Sequence, residues 1–189
     1  MSIIATDLDG TIFKGQTLID GVKEGLLKII NEGIEIYYTT NNSSQTPSEI
    51  KDKLENLLQL DIDISKIITP LVIFQNLYSD DKLNIFIYGS ENLKKYIKNL
   101  NMNVTSLENA ELVLIGRKEE NNFSEINEII KNVSLGKNIL SLNKDLTFPT
   151  EFGEKAGNGA VVKIIEDELS INIPTLGKSG DHYLSLIHI

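Results

Sequence analysis

Cysteine is absent from this sequence of 189 residues, and histidine occurs only twice, at His182 and His188. Without cysteine the chain can form no disulfide, no thiol nucleophile and no cysteine-ligated zinc site. Both histidines fall in the last eight positions, so a serine–histidine pair or a histidine metal cluster would have to be built around one end of the chain. We therefore expect neither thiol chemistry nor histidine-based catalysis.

Positive charge is also scarce, with 18 lysine and arginine residues against 27 aspartate and glutamate residues and a net charge of −9. Nucleic acids and anionic membranes bind basic surfaces, so neither is expected as a partner. An anionic substrate is not excluded, because a bound cation can reverse the local field. The sequence has neither a long apolar run nor a signal-peptide pattern, which predicts a cytoplasmic protein.

Runs rich in β-formers alternate with helical patterns that carry their own caps. Asp20 is a candidate N-cap for a first helix that ends near Gly33, and Thr46-Pro47-Ser48-Glu49 combines an N-cap, a helix-starting proline and a capping-box glutamate. Strands joined by such helices are parallel neighbours. The predicted strands are 3–7, 34–40, 64–68, 84–89, 112–116 and 138–142; the predicted helices are 20–33, 46–60, 69–78, 91–100, 124–132 and 159–169, with a strand or extended run at 171–176.

This order of elements predicts an α/β fold with an open, Rossmann-like parallel sheet. The alternation restarts around Ser79-Asp80-Asp81, so we expect a second α/β lobe to be inserted into the first. The predicted division is a first core part at 1–80, an inserted lobe at 81–173, and the start of a second core part at 174–189.

Two carboxylates, Asp7 and Asp9, stand one residue apart where the first strand ends and are followed by Gly10. The carboxyl ends of parallel strands are where ligands bind. Crowded carboxylates cost free energy unless a cation or a shared proton relieves them, and Mg²⁺ is the hard cation that oxygen ligands and a phosphorylated substrate would hold together. The alternative is that Asp9-Gly10 merely opens a solvated turn.

Further short polar segments carry recognisable patterns: Thr40-Asn41-Asn42-Ser43, Asn143-Lys144-Asp145-Leu146-Thr147-Phe148-Pro149-Thr150, Gly157-Asn158-Gly159 and Gly177-Lys178. Together with Asp7-Leu8-Asp9-Gly10-Thr11, they resemble the haloacid dehalogenase superfamily of phosphatases. The resemblance is to subclass IIA, whose nitrophenylphosphatase-like and nucleotide-monophosphatase-like members carry a large α/β cap of type C2 between their second and third motifs. It covers the chain from residue 1 to about residue 183.

The resemblance implies a Mg²⁺-dependent phosphomonoester hydrolase that works through an aspartyl phosphate. Asp7 would be the nucleophile and Asp9 the general acid and base, with both at the metal. Thr40 and the Asn41 amide would hold the transferring phosphoryl group, and Lys178 would offset its charge and that of Asp7. The alternatives are that Thr40 caps a strand end and that Lys178 is a surface lysine.

Substrate choice would lie with the inserted lobe, which the resemblance identifies as a cap. Asn143 and Asp145 would project from it to select the leaving group, or else form only a turn after a strand. Sugar phosphates, nucleoside monophosphates, phosphoglycolate and pyridoxal phosphate all fit as the small phosphate monoester. The resemblance also allows a homodimer formed through the cap.

One family motif has no counterpart, the acidic pair that follows the lysine by several tens of residues and completes the metal site. Asp181 lies three residues after Lys178, which is too close. We therefore expect a C-terminally truncated core whose tail, 184–189, is foreign sequence and whose first strand lies at a sheet edge. Two alternatives to the enzyme remain: an impaired fragment that binds phosphate or a partner without turnover, and a receiver-type phosphoacceptor module.

Overall fold

The computed structural model describes residues 2–79, 82–150 and 153–183. The strands are β1 (Ile3–Asp7), β2 (Phe13–Lys14), β3 (Thr17–Leu18), β4 (Glu35–Thr39), β5 (Ile67–Ile68), β6 (Asn84–Tyr88), β7 (Asn103–Val104), β8 (Leu112–Ile115), β9 (Asn138–Ser141), β10 (Thr147–Thr150) and β11 (Gly153–Ala156). The helices are α1 (Val22–Asn31), α2 (Pro47–Leu58), α3 (Pro70–Tyr78), α4 (Glu91–Asn99), α5 (Phe123–Ser134) and α6 (Asn158–Leu169).

The first sheet is parallel, with strand order β1-β4-β5. Asp7 pairs with Thr39, and Thr39 pairs with Ile68. Since the strands are parallel, their carboxyl ends lie along one edge, and the polar segments that follow them meet there. Within the described residues β1 has a single strand partner, β4, which agrees with the expected edge position.

The second sheet is also parallel, in the order β7-β6-β8-β9. All residues of β8 are buried, as expected for a strand covered on both faces. Apolar contact joins the two sheets through α3, because one buried cluster contains Phe74 of α3, Ile68 of the first sheet and Ile87 of the second. The predicted α/β class with parallel sheets is therefore confirmed.

The predicted third strand is wrong over most of its length. Ile64–Lys66 forms a 3₁₀ helix, and the strand is confined to Ile67–Ile68. The side chain of Asp63 accepts a hydrogen bond from the backbone N–H of Ser65 at 2.9 Å. This local bond competes with strand pairing and favours a turn.

The start of the first helix also differs from the prediction. Its N-cap is Gly21, not Asp20, and Gly21 adopts a left-handed conformation with φ of 77°. By contrast, the capping box at the start of α2 is confirmed. The Thr46 side chain accepts a hydrogen bond from the Glu49 backbone N–H, and the Glu49 side chain accepts one from the Thr46 backbone N–H.

Residues 171–176 form an isolated bridge between Thr175 and Ser141 rather than a regular strand. The sequence analysis did not predict the hairpin β10–β11 or strand β7. The predicted boundary at residues 80 and 81 and the tail 184–189 lie outside the described residues, so the domain division stays a prediction. No helix in the described ranges is long and apolar enough to cross a membrane.

Candidate active site

Asp7 and Asp9 lie on either side of Leu8, whose buried side chain fixes the end of β1. Leu8 is buried, and because side chains alternate along an extended chain, its two neighbours face the other way, toward solvent. The carbonyl of Leu8 accepts hydrogen bonds from the backbone N–H groups of the next turn, at 2.9 Å from Ile12. Gly10 turns the chain there with φ of 85°, a conformation that favours glycine.

Lys178 reaches the first of these carboxylates. Its Nζ donates to Oδ1 of Asp7, and the two form an ion pair. The backbone N–H of Lys178 donates to Oδ1 of Asn41 at 2.7 Å, which fixes the loop that carries the lysine. A side chain at Gly177, beside it, would be crowded, because a Cβ there would lie 3.0 Å from Oδ1 of Asn41 and 3.1 Å from Cβ of Asn143.

Thr40 holds the second carboxylate. Its hydroxyl donates to Oδ2 of Asp9 at 3.2 Å and accepts from the backbone N–H of Asn42 at 2.9 Å. The Tyr183 hydroxyl donates to the Thr40 carbonyl at 2.9 Å; Tyr183 is buried, and burial raises the pKa of its phenol well above the ordinary value. The next backbone N–H, of Asn41, has no acceptor within the described part of the chain, so it remains available for a ligand.

The two predicted cap residues bond directly to the loop after β4. Asn143 donates from Nδ2 to the Asn41 carbonyl at 2.9 Å and to Oγ of Ser43 at 3.3 Å. Asp145 accepts from Nδ2 of Asn41 at 2.9 Å. Asn143 is buried and Asp145 exposed. Selection of the leaving group by these two residues stays a prediction, but both link the two sheets across the site.

Behind Asn143, a buried amide ties the end of β9 to the start of α6. The two N–H groups on Nδ2 of Asn158 are shared among three acceptors, the Asn143 carbonyl at 2.8 Å, Oγ of Ser141 at 3.0 Å and the Ile115 carbonyl at 3.2 Å. The flanking glycines leave no space for a side chain. A Cβ on Gly157 would lie 2.3 Å from the Asp145 carbonyl oxygen.

All of the predicted site residues line one cleft with a volume of about 320 Å³. Seven further residues line the cleft, and six of them, including Phe148, belong to the polar segments of the sequence without having been assigned to the site. Arg117 lies outside those segments and was missed altogether. The Arg117 guanidinium stacks 3.6 Å from the Phe148 ring centroid. A usable signal was that Arg117 is the single arginine of the sequence and directly follows a glycine at a strand end. The predicted residues in the cleft are Asp7, Asp9, Thr40, Asn41, Asn143, Asp145 and Lys178.

The described residues contain no cluster of three or more histidine, cysteine, aspartate or glutamate side chains able to hold a metal. Asp7 and Asp9 nevertheless offer hard carboxylate oxygens at an open cleft. Mg²⁺ commonly takes one or two carboxylates and completes its shell with water and substrate phosphate. The donor set therefore fits Mg²⁺ and does not fit a zinc site built from histidine or cysteine.

Residues 4–103 match the family described as haloacid dehalogenase-like hydrolase. Over 174 residues the chain is 28% identical to an acid sugar phosphatase of Staphylococcus epidermidis, which covers 91% of this chain and 67% of the relative. The chain thus spans about two thirds of that protein's length.

Solved structures resemble the whole described fold. A p-nitrophenyl phosphatase from Archaeoglobus fulgidus superposes with a TM-score of 0.88 at 20% identity, over 100% of this chain and 74% of the other. A glycerol phosphate phosphatase from Mycobacterium tuberculosis, solved in complex with magnesium, gives 0.81 at 22% identity, over 97% and 56%. At sequence identities this low, the structural similarity to these two proteins shows the fold alone.

Proposed function

This chain belongs to the haloacid dehalogenase-like hydrolase family, and from that premise we propose that it is a Mg²⁺-dependent phosphatase that hydrolyses a small phosphomonoester through an aspartyl phosphate. The observation that carries the proposal is the convergence of three segments on one point. Lys178 pairs with Asp7, Thr40 bonds to Asp9, and the Asn41 backbone N–H faces no protein acceptor in the described residues. The staphylococcal relative is an acid sugar phosphatase, which supports a phosphate ester as substrate.

Asp7 is the proposed nucleophile. Lys178 bonds to its Oδ1, and Oδ2 has no hydrogen bond from the described residues, which leaves that oxygen to attack phosphorus. The new bond joins Oδ2 to phosphorus as the bond from phosphorus to the alcohol oxygen breaks. Lys178 offsets the negative charge of the reacting groups, and the Asn41 N–H donates to a phosphoryl oxygen.

Asp9 is the proposed acid and base. The hydrogen bond from Thr40 fixes the orientation of its carboxyl group. Asp9 gives a proton to the departing alcohol oxygen, then takes one from the water that attacks phosphorus of the aspartyl phosphate. Inorganic phosphate leaves, and Asp7 is regenerated.

Asp7 and Asp9 would hold the metal ion. When bound, Mg²⁺ supplies positive charge that stabilises the phosphoryl oxygens in the transition state.

We also propose that residues 81–173 form a cap inserted between core parts at 1–80 and 174–189. The bonds from Asn143 and Asp145 to Asn41 support this, because they join the second sheet to the loop after β4. Such a lobe would cover the cleft and exclude water from the aspartyl phosphate until hydrolysis.

Turnover of p-nitrophenyl phosphate by the 189-residue chain, with and without Mg²⁺, tests the proposal. Asp7→Asn should lower kcat by at least about 10³-fold, as loss of a nucleophile does. Asp20→Asn, an exposed aspartate outside the cleft, is the matched control and should retain activity. Undiminished turnover in Asp7→Asn would remove Asp7 from the mechanism, and no turnover by the unsubstituted chain would leave the phosphate-binding fragment as the better description.

A further inference from the structure

Arg117 stands out among the cations at the cleft because, among the described residues, no carboxylate forms an ion pair with it, although Glu119 attracts it at longer range. It lies two residues after the end of β8, and its carbonyl accepts from the Ser90 backbone N–H at 2.8 Å, which fixes the backbone. Its guanidinium makes no ion pair or hydrogen bond with the described residues. The neighbouring cations do: Lys118 pairs with Glu125, and Lys178 with Asp7.

The surroundings of this guanidinium raise the free-energy cost of leaving its charge without an anion. Arg117 is half-buried, and burial lowers its pKa from the ordinary arginine value. Its Cζ lies 3.6 Å from the centroid of the Phe148 ring, so the ring shields part of the guanidinium from water while the residue lines the cleft. A partly desolvated charge is costly unless an anion and hydrogen bonds compensate for it.

The transferring phosphoryl group does not need this arginine. Lys178, Thr40 and the Asn41 N–H already surround Asp7 and Asp9, and all of them come from the first sheet or from the loop that bonds to it. Arg117 enters the same cleft from the second sheet. Once the phosphoryl group is bound, the remainder of the substrate is therefore what Arg117 can contact.

We propose that Arg117, stacked on Phe148, binds a second anionic group on the leaving-group side of the substrate, so that the preferred substrate is a phosphomonoester carrying a carboxylate or another phosphate. This inference rests on the proposed phosphatase function. Arginine suits the task because its planar fork makes paired hydrogen bonds to carboxylate or phosphate oxygens. Phe148 holds the fork in place by stacking.

Pairs of substrates that differ mainly in the second anionic group test the effect of that charge. The kcat/KM for 6-phosphogluconate is compared with that for sorbitol 6-phosphate, which replaces the carboxylate with an alcohol. Glucose 1,6-bisphosphate and glucose 6-phosphate form the second pair and distinguish a second phosphate from a carboxylate. We expect one anionic member to be preferred and Arg117→Leu to lower that preference about 10- to 100-fold, as charge-assisted hydrogen bonds predict.

Arg117→Lys, which keeps the charge and loses the fork, should retain part of the preference. Lys118→Gln is the control, because Lys118 does not line the cleft; it should leave the preference unchanged. An unaltered preference in Arg117→Leu, or the same loss in Lys118→Gln, overturns the assignment, as does the absence of any preference in the unsubstituted protein.

Binding separates failure of this inference from failure of the phosphatase proposal. Isothermal titration calorimetry with Asp7→Asn protein, which cannot form the aspartyl phosphate, measures the same substrate pairs without turnover. Tighter binding of the anionic member, lost in Asp7→Asn/Arg117→Leu, supports Arg117 as the anion site even where no ester is hydrolysed. Equal binding of both members overturns it.

Discussion

Alanine at Gly159 tests the contact between the start of α6 and the segment after β9. A Cβ added to Gly159 would lie 2.1 Å from the carbonyl oxygen of Lys144 and 2.8 Å from the carbonyl carbon of Asp145. These are backbone atoms, so no side-chain rotation can relieve the overlap. The segment cannot simply move away either, because the Gly159 N–H donates to the Asp145 carbonyl at 2.8 Å.

Two effects of opposite sign decide how much Gly159→Ala changes the free energy of unfolding. Replacing a helical glycine with alanine stabilises by about 0.5–1 kcal/mol through chain entropy. Overpacking a filled site costs about 1–3 kcal/mol, and overlap with backbone at 2.1 Å belongs at the upper end. We therefore expect Gly159→Ala to lower the free energy of unfolding by about 2 kcal/mol.

Urea denaturation followed by circular dichroism measures this difference. Gly25→Ala is the control, because Gly25 lies inside α1 and a Cβ there would meet nothing within 4 Å; it should raise the free energy of unfolding by about 0.5–1 kcal/mol. If Gly159→Ala were as stable as Gly25→Ala, the close approach of α6 to Lys144 would be refuted.

Three further outcomes are expected. Tyr183→Phe should destabilise the fold by about 1–2 kcal/mol in urea, because the Thr40 carbonyl loses its buried hydroxyl donor; an unchanged midpoint would contradict this. Burial raises the pKa of Glu166, but bonds from Lys144 and the Ile173 N–H outweigh it and hold the pKa below the ordinary glutamate value. The ionised Glu166 therefore stabilises the fold above that value, and this stabilisation is lost as the pH falls below about 4.5. The melting temperature of Glu166→Gln should consequently fall less on acidification than that of the unsubstituted chain. Parallel plots of melting temperature against pH for the two proteins would refute the assignment. EDTA should lower p-nitrophenyl phosphate turnover by about 100-fold or more, with recovery on adding Mg²⁺; full activity in EDTA would exclude the metal.

Local rules predicted the elements that depend on neighbouring residues. The capping box from Thr46 to Glu49 and the helix start at Thr69-Pro70 need only a few adjacent positions, and both are present. The position of Asp7 at a strand end follows from an apolar run and a turn signal in the same way. These features required no knowledge of distant contacts.

Features that depend on long-range packing could not be predicted in this way. Arg117 carries no local sign of its stacking partner, since Phe148 lies far along the chain in a hairpin with exposed residues and little hydrophobic alternation. The 3₁₀ helix at Ile64–Lys66 was missed for a local reason instead, because the Asp63 side chain accepts a hydrogen bond from the Ser65 backbone N–H and favours a turn over a strand. Tertiary packing therefore decides the contact of Arg117 with Phe148, whereas a local polar bond decides the element at Ile64–Lys66.

The bonds that assemble the cleft have a consequence for how the protein folds. Asn41 to Asp145, Asn41 to Lys178 and Asp7 to Lys178 span 104, 137 and 171 positions. Closing loops of that length lowers the entropy of the chain before the contacts that stabilise them have formed, so these long-range contacts form late in folding. Helices with local caps will therefore regain their circular dichroism signal in refolding before Asp7 meets its lysine, and ligand binding at the cleft will report completion of the native state rather than its beginning.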